Sequence, residues 1–337
     1  RICLFINSDE NKVFQIGFRT PPKDDTGVPH IVEHTVLCGS DKFPLKDPFV
    51  ELVKGSMNTF LNAITYPDKT IYPVASCNEK DFANLMNVYL DAVFHPNIYK
   101  YEEIFKQEGW HYELQDVEGP LTINGVVYNE MKGAYSDPEE ILQHEIMKSL
   151  YPDTCYSQES GGHPDHICEL SREAFLNFHQ TYYHPSNAFI YLYGDMDMEE
   201  KLNWLDQEYL STYEALKVDS EIQHQEPFET SVEKTVFFPL PSSESEEDNA
   251  IISYNLVMGD SLDKEMYIAI SILNYALFNA PGARVKKELL DAKIGKEIHA
   301  EYDTSLKQPL FSIVVKGTQE SKKDEFFNIF NSKNNGS

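Results

Sequence analysis

His30, Glu33 and His34 are the residues of this chain best suited to chemistry, and they stand in the order H-x-x-E-H. On a helix the two histidines lie one turn apart on one face, so both imidazoles can reach a single ion. Glu33 lies close to that face and can take a proton from a water the ion activates. Zinc suits such a pair: it takes neutral imidazole nitrogens and one more protein ligand, and keeps a position open for water. The flanking sequence fits a helix start. Thr26 and Gly27 are cap-like, Pro29 suits the first helical position, and Ile31, Val32, Val36 and Leu37 supply an apolar side.

Two histidines do not hold a catalytic zinc, so a third ligand is required. Residues 124–135 read N-G-V-V-Y-N-E-M-K-G-A-Y. Glu130 shares a helix face there with Val127, Met131 and Ala134, and a carboxylate turned inward must be paired or metal-bound, because a lone buried charge is too costly. His111 and His144 are rivals. His111 falls on a strand between aromatics and reads as a satisfied core histidine. His144 falls on a polar helix face with Glu140 and Glu145 and reads as solvent-exposed. Residue type alone leaves all three open.

Composition narrows the function class. The 337 residues are enough for two ordinary domains, and 41% hydrophobic with 12% aromatic content supplies a packed core. Against 28 Lys and Arg stand 55 Asp and Glu, a net charge of −27. That surface repels phosphate backbones and anionic membranes, which argues against nucleic-acid and membrane partners, and it attracts basic peptides. The five cysteines (Cys3, Cys38, Cys77, Cys155, Cys168) form no C-x-x-C pair, as expected for a reducing compartment rather than a secreted, disulfide-held fold. Cys38, one turn beyond His34, reads as a structural thiol. No apolar run reaches membrane-spanning length and no signal peptide is visible.

Hydrophobic periodicity then places the elements. Strands are expected at residues 1–6 and 13–19, with the histidine helix after them and a short helix capped by Asp47-Pro48. A hairpin of 58–65 and 70–75 follows, then an amphipathic helix from Asn78 carrying Phe82, Leu85, Met86, Tyr89, Leu90 and Val93 at helical spacing. Helices at 125–135, 138–150, 171–183 and 198–213 and a strand at 188–193 complete a first unit. We divide the chain into a catalytic domain at 1–213, an acidic linker at 214–232 and a second, related domain at 233–337. The second begins with strands at 234–240 and 250–258 and repeats the order strand, strand, helix, helix, strand, strand, helix. Where the first copy has its histidines, the second has Tyr267, Ile268, Ala269, Ile270 and Ser271, so it is expected to be non-catalytic. It stops inside a helix, and the first residue already lies in a strand-like run; the expectation is a portion of a longer chain.

Several blocks occur in an order that resembles one family. They are His30–His34 with Glu130, L-C-G-S-D-K-F-P-L-K-D-P-F-V-E-L, T-F-L-N-A-I-T-Y-P-D, Q-E-G-W-H-Y-E-L, N-E-M-K-G, Y-S-Q-E-S-G-G and H-P-S-N-A. Together they are similar to the presequence-protease branch of the pitrilysin (inverzincin, insulinase-like) zinc metallopeptidases, through Gly194 and more weakly to the end. The resemblance implies an α+β fold of two related units, mostly antiparallel sheet with packed helices (a pitrilysin/LuxS-like metallohydrolase fold), the second incomplete. It implies one zinc per chain on His30, His34 and Glu130, deciding for Glu130 over its rivals, with Glu33 as general base. It also implies that an extended substrate adds as a strand to the edge Leu61, Asn62, Ala63 and Ile64, with Asn62 and Ala63 nearest the scissile bond, which is β-augmentation.

Family members close two halves of such units around a chamber. The missing C-terminal half is therefore an expected partner, and the Arg and Tyr with which that half helps hold the substrate carbonyl have no counterpart here. The function so implied is a zinc metalloendopeptidase that degrades unstructured, preferably basic oligopeptides. Its compartment would be the cytoplasm of a bacterium or the matrix of a mitochondrion or plastid. The competing reading is a non-catalytic peptide-binding or scaffold subunit, which predicts a broken H-x-x-E-H; here the motif is intact.

Overall fold

The computed structural model describes residues 1–46, 48–243 and 245–331. Asp47, read from sequence as a helix cap, lies outside them. The fold is α+β. The first part runs β1 (Ile2–Ile6), β2 (Lys12–Arg19), α1 (Val28–Val36), α2 (Pro48–Gly55), β3 (Asn58–Leu61), β4 (Ile64–Thr65), β5 (Lys69–Ser76), α3 (Glu79–Phe94), α4 (Glu102–Glu108), β6 (His111–Glu113), β7 (Thr122–Asn124), α5 (Val126–Ala134), α6 (Pro138–Leu150), α7 (Arg172–Tyr182), β8 (Ala188–Gly194) and α8 (Met198–Leu205). The second runs β9 (Ala250–Val257), α9 (Lys264–Asn274), α10 (Arg284–Asp291), β10 (Glu297–Asp303), β11 (Leu310–Thr318) and α11 (Lys323–Asn331).

By contacts the chain forms two compact units. One is residues 1–140 with 155–223, and the other is 141–154 with 224–337. In the first, the sheet order is β1-β8-β2-β5-β3, with β4 also on β5. Only β1 and β8 run parallel; the remaining pairs are antiparallel. β2 alternates as a half-covered strand should, burying Phe14, Ile16 and Phe18. Against it and β5 lies α3, whose Phe82, Leu85, Met86, Tyr89, Leu90 and Val93 are all buried, as their spacing predicts. The Asn78 side chain caps that helix by accepting the Asp81 N–H at 3.0 Å.

The hairpin differs from a simple pair. Its first arm breaks into β3 and β4, both paired with β5, and Asn62 between them still donates its N–H to Pro73 O at 3.2 Å. Together β3 and β4 form one edge of the sheet among the described residues. The acidic stretch after residue 213 has no helix or strand up to 223, yet it is tied down. Leu216 N–H donates to Ser186 Oγ at 3.0 Å, Ser220 Oγ meets Asn187 Oδ1 at 2.6 Å, and Ile222 is buried.

The second unit holds a three-stranded antiparallel sheet, β10-β11-β9, over a core that includes Phe278, Leu289, Ile298, Val315 and Phe326. Residues 234–240, expected as a strand, form none: Pro239 and Pro241 remove ladder donors, and Phe237 stands in solvent.

α7 carries a buried titratable group. His179 donates from Nε2 to Val93 O at 2.9 Å and accepts the Tyr99 hydroxyl on Nδ1 at 2.7 Å, so its neutral form is fully satisfied. Burial pushes its pKa down to about 4, with the Val93 contact opposing. The unfolded chain, with a histidine pKa of about 6.5, takes up that proton first as pH falls. The stability associated with neutral His179 is therefore complete above about pH 6.5 and is withdrawn toward pH 4, by about 3 kcal/mol in all. Urea unfolding between pH 7 and 4.5 should show a shallower loss of stability in His179→Gln than in wild type; equal slopes would contradict the assignment.

Candidate active site

α1 begins at a backbone constraint. Its cap is Gly27, with φ of 68° and no side-chain cap, so Thr26 does not serve as the cap and Pro29 falls within the first turn. A Cβ on Gly27 would stand 2.5 Å from Gly162 Cα and 2.7 Å from Gly161 O. Only glycine allows that approach, and the approach brings residues 161–162 against the histidine helix. Ile31, Val32 and Val36 anchor the helix in the core, which turns His30 and His34 the other way.

Both rings are held by their Nδ1 atoms. His30 Nδ1 lies 3.0 Å from Gly161 O, and a carbonyl can only accept, so His30 carries its proton there. His34 Nδ1 lies 3.3 Å from Glu108 Oε2 at the end of α4. Glu108 is buried, and burial alone would raise its pKa. The contacts from His34 and Gln107 outweigh this and hold it below the ordinary value, so the carboxylate accepts and His34 Nδ1 donates. Neutral His30 and His34 therefore both present bare Nε2 lone pairs. Those two atoms stand 3.9 and 3.8 Å from Glu130 Oε2 on α5. His30, His34 and Glu130 form a cluster of candidate ligand atoms all within 4.8 Å of one another.

This donor set fits zinc. Two lone pairs and a carboxylate converging on one point repel each other unless a cation lies between them, and ligands about 2.0–2.1 Å from a tetrahedral zinc are about 3.3 Å apart. The two Glu130 distances, 3.9 and 3.8 Å, exceed that spacing by only about half an ångström, and the Glu130 side chain is 54% exposed. That exposure corrects the sequence argument, which put Glu130 on an inward face; on α5 only Val127 is buried. His34 responds to the same field. Burial opposes its ionisation, but the Glu108 contact and the charges of Glu33, Glu108 and Glu130 raise its pKa above the usual value.

Glu33 is 7% exposed and accepts the Thr65 hydroxyl on Oε2 at 2.6 Å. Thr65 ends β4, so the carboxylate of the motif is tied to the strand at the sheet edge. On that edge Leu61, Ala63 and Ile64 are half-buried and Asn62 is exposed. Asn62 turns its N–H inward to Pro73 and its carbonyl accepts the Tyr89 hydroxyl at 3.3 Å. By the alternation of an antiparallel ladder, the polar backbone groups of Leu61 and Ala63 face outward, where the Ala63 N–H donates to the exposed Asn62 side chain at 3.0 Å.

The rival ligands lie elsewhere. His111 Nδ1 meets Lys106 O at 2.7 Å and stands outside the cluster. His144, expected in solvent, is buried: the C-terminal part of α6 groups with the second unit, where Tyr151 donates to Gln308 O at 2.8 Å. Cys38 donates to His34 O at 3.5 Å, which secures the end of α1. Sequence reasoning missed Glu108, Gly161 and Thr65. Each sits inside or beside a quoted block, but neither type nor spacing links it to the histidines.

Two family models match the chain: insulinase (peptidase family M16) over residues 13–151, and the peptidase M16 inactive domain over residues 169–333. Over 318 residues the chain is 46% identical to presequence protease 1, chloroplastic/mitochondrial, of Arabidopsis thaliana, covering 93% of this chain and 29% of that protein. The chain belongs to the M16 peptidase family, in its presequence-protease branch. It is also 53% identical over 326 residues to protein HypA of Clostridium perfringens, covering 97% of this chain and 34% of that one. The chain thus spans about a third of the length of these relatives. Among solved structures, pitrilysin aligns at a TM-score of 0.66 and 15% identity, over all of this chain and 35% of that one. A peptidase M16 inactive domain from Pseudomonas fluorescens aligns at 0.72 and 14%, over 98% of this chain and 75% of that one. At those identities the likeness is one of fold. No helix among the described residues is long and apolar enough to cross a membrane.

In metal-free protein, His34 should titrate above about 6.5, and Glu108→Gln should lower that value, since the amide keeps an acceptor but no charge. Ring-resonance NMR against pH reads it; an unchanged His34 pKa in the variant would remove Glu108 from this role.

Proposed function

We propose that this chain carries the catalytic centre of a zinc-dependent endopeptidase that degrades unstructured oligopeptides. One observation carries the reading: two bare imidazole nitrogens and a carboxylate converge beside a carboxylate that is tied to an open sheet edge. His30, His34 and Glu130 would hold one zinc. When bound, zinc supplies a Lewis acid that acidifies water and polarises the scissile carbonyl.

The remaining steps belong to the protein. Glu33, with Oε2 fixed by Thr65, takes the proton of the attacking water and delivers it to the leaving amine. The edge at Leu61, Asn62, Ala63 and Ile64 binds substrate backbone as an added strand, so any extended peptide can bind and a folded chain cannot. The charge of −27 favours basic peptides, and salt should weaken their binding selectively. The names of the presequence-protease relatives support presequence-type peptides and a mitochondrial or chloroplast setting; in a bacterium the same chemistry would serve general peptide turnover in the cytoplasm. Because the relatives are about three times longer, the sequence they have beyond this match would complete the substrate chamber as partner.

The test is zinc content together with mass spectrometry of an unstructured basic peptide. Glu33→Gln should keep zinc and lose turnover by about 10²–10⁴-fold, the usual worth of a positioned base. His30→Ala and His34→Ala should lose zinc. Equal turnover in wild type and Glu33→Gln would remove the base, and full zinc retention by both histidine variants would remove the metal centre.

A further inference from the structure

The segment Y-S-Q-E-S-G-G, residues 156–162, does more than supply the Gly161 carbonyl and the close approach of Gly162 to Gly27. Both carboxylate oxygens of its Glu159 accept hydrogen bonds. Oε1 accepts the Gly161 N–H at 3.1 Å, and Oε2 accepts the Tyr135 hydroxyl at 2.9 Å. Tyr135 is the C-cap of α5, the helix that bears Glu130. Gly161 in turn accepts from His30 on α1. A hydrogen-bonded chain thus runs from α5 through Glu159 and Gly161 to His30.

The segment is also fixed from its other side. Asp25, just before the start of α1, accepts the Glu159 N–H on Oδ1 at 2.7 Å, and its carbonyl accepts the His163 N–H at 2.8 Å. A Cβ on Gly161 would stand 2.9 Å from Met131 Cε, so the backbone there lies against the neighbour of Glu130. A methylene or two of drift would separate the two helices whose side chains must meet. Glu159 touches both the tyrosine ending one helix and the peptide that orients a ring on the other.

We propose that Glu159 is a positioning residue of the metal centre: a bidentate strut that sets the Gly161 carbonyl, and through it the Nδ1-protonated form of His30, relative to Glu130. This rests on the metal-centre reading above. It goes further in assigning roles to Glu159 and Tyr135, neither of which meets the metal or the substrate. Glutamine at 159 can keep both contacts, its carbonyl accepting from Gly161 and its amide donating to the tyrosine oxygen. Alanine loses both, and Tyr135→Phe loses one.

The experiment is zinc affinity of this chain by competition with a chromogenic chelator, together with ¹⁵N NMR of the His30 ring in metal-free protein. Glu159→Ala should weaken zinc binding about 10–100-fold, the usual cost of removing a group that orients a ligand. It should also mix the two neutral forms of the His30 ring. Tyr135→Phe should weaken binding several-fold, and Glu159→Gln should restore most of the affinity. Melting of the metal-free variants separates this from a general loss of stability, which would lower the melting temperature while the ring form of the folded protein stays unchanged. Zinc affinity within twofold of wild type in Glu159→Ala, with His30 still protonated on Nδ1, would overturn the strut. If Glu159→Ala does not fold, unchanged affinity and ring form in Tyr135→Phe would overturn it instead. If wild type binds no zinc, the metal reading fails, and the ring form in Glu159→Ala still decides whether the strut orients His30.

Discussion

The structure turns on an electrostatic conflict. Two imidazole lone pairs and a carboxylate oxygen are aimed at one point, within 4.8 Å of one another, and with the imidazoles neutral and the carboxylate ionised none of them has a proton to offer the others. Such an arrangement is unfavourable in a bare protein and favourable around a cation, and it persists only if the surroundings determine it. Against the effect of burial, the contact with Glu108, and then the charges of Glu33, Glu108 and Glu130, raise the pKa of His34. The neighbouring elements can be understood as what keeps these groups from relaxing apart.

The apolar side of α1 does most of that holding. Ile31, Val32 and Val36 are fully buried, so the helix cannot rotate to relieve its polar face without exposing them. Fully burying each such side chain is worth about 1.5–3 kcal/mol, more than one hydrogen bond would gain by relaxing. The Nδ1 partners then fix the rings. One is a buried carboxylate from α4, and the other is a backbone carbonyl that can approach only because Gly27 lacks a side chain. The two kinds of partner differ in consequence. Glu108 adds charge and basicity to His34, whereas the Gly161 carbonyl orients His30 without altering the charge of the site.

The sheet edge and Glu33 meet at one strand. Thr65 ends β4 and directs Glu33, while Ile64 and Ala63 beside it lie along the open edge. A peptide added to that edge would be registered against Glu33 by the strand itself, with no separate positioning device. The second unit has its own core and its own antiparallel sheet, and the stretch Tyr267–Ser271 carries none of these chemical groups.

Much of this was legible from residue order. Helical spacing fixed the faces of α1 and α3, because a 3.6-residue period is a local property that reports which side meets a core. The pair His30 and His34 with Glu33 was equally plain, since one helical turn brings them together whatever the rest of the chain does. Other features depended on contacts distant in sequence. Glu108 lies 74 residues from His34, Gly161 lies 131 from His30, and Thr65 lies 32 from Glu33. Nothing in composition or period can select one glutamate or one carbonyl among many at such range. The exposure of Glu130 and the burial of His144 were likewise decided only by packing, because an amphipathic pattern shows that a helix has two faces but not what lies against each. The sequence by itself determined the chemical groups and their local phase; tertiary structure decided their protonation and their partners, because both depend on which distant atoms come within hydrogen-bonding distance.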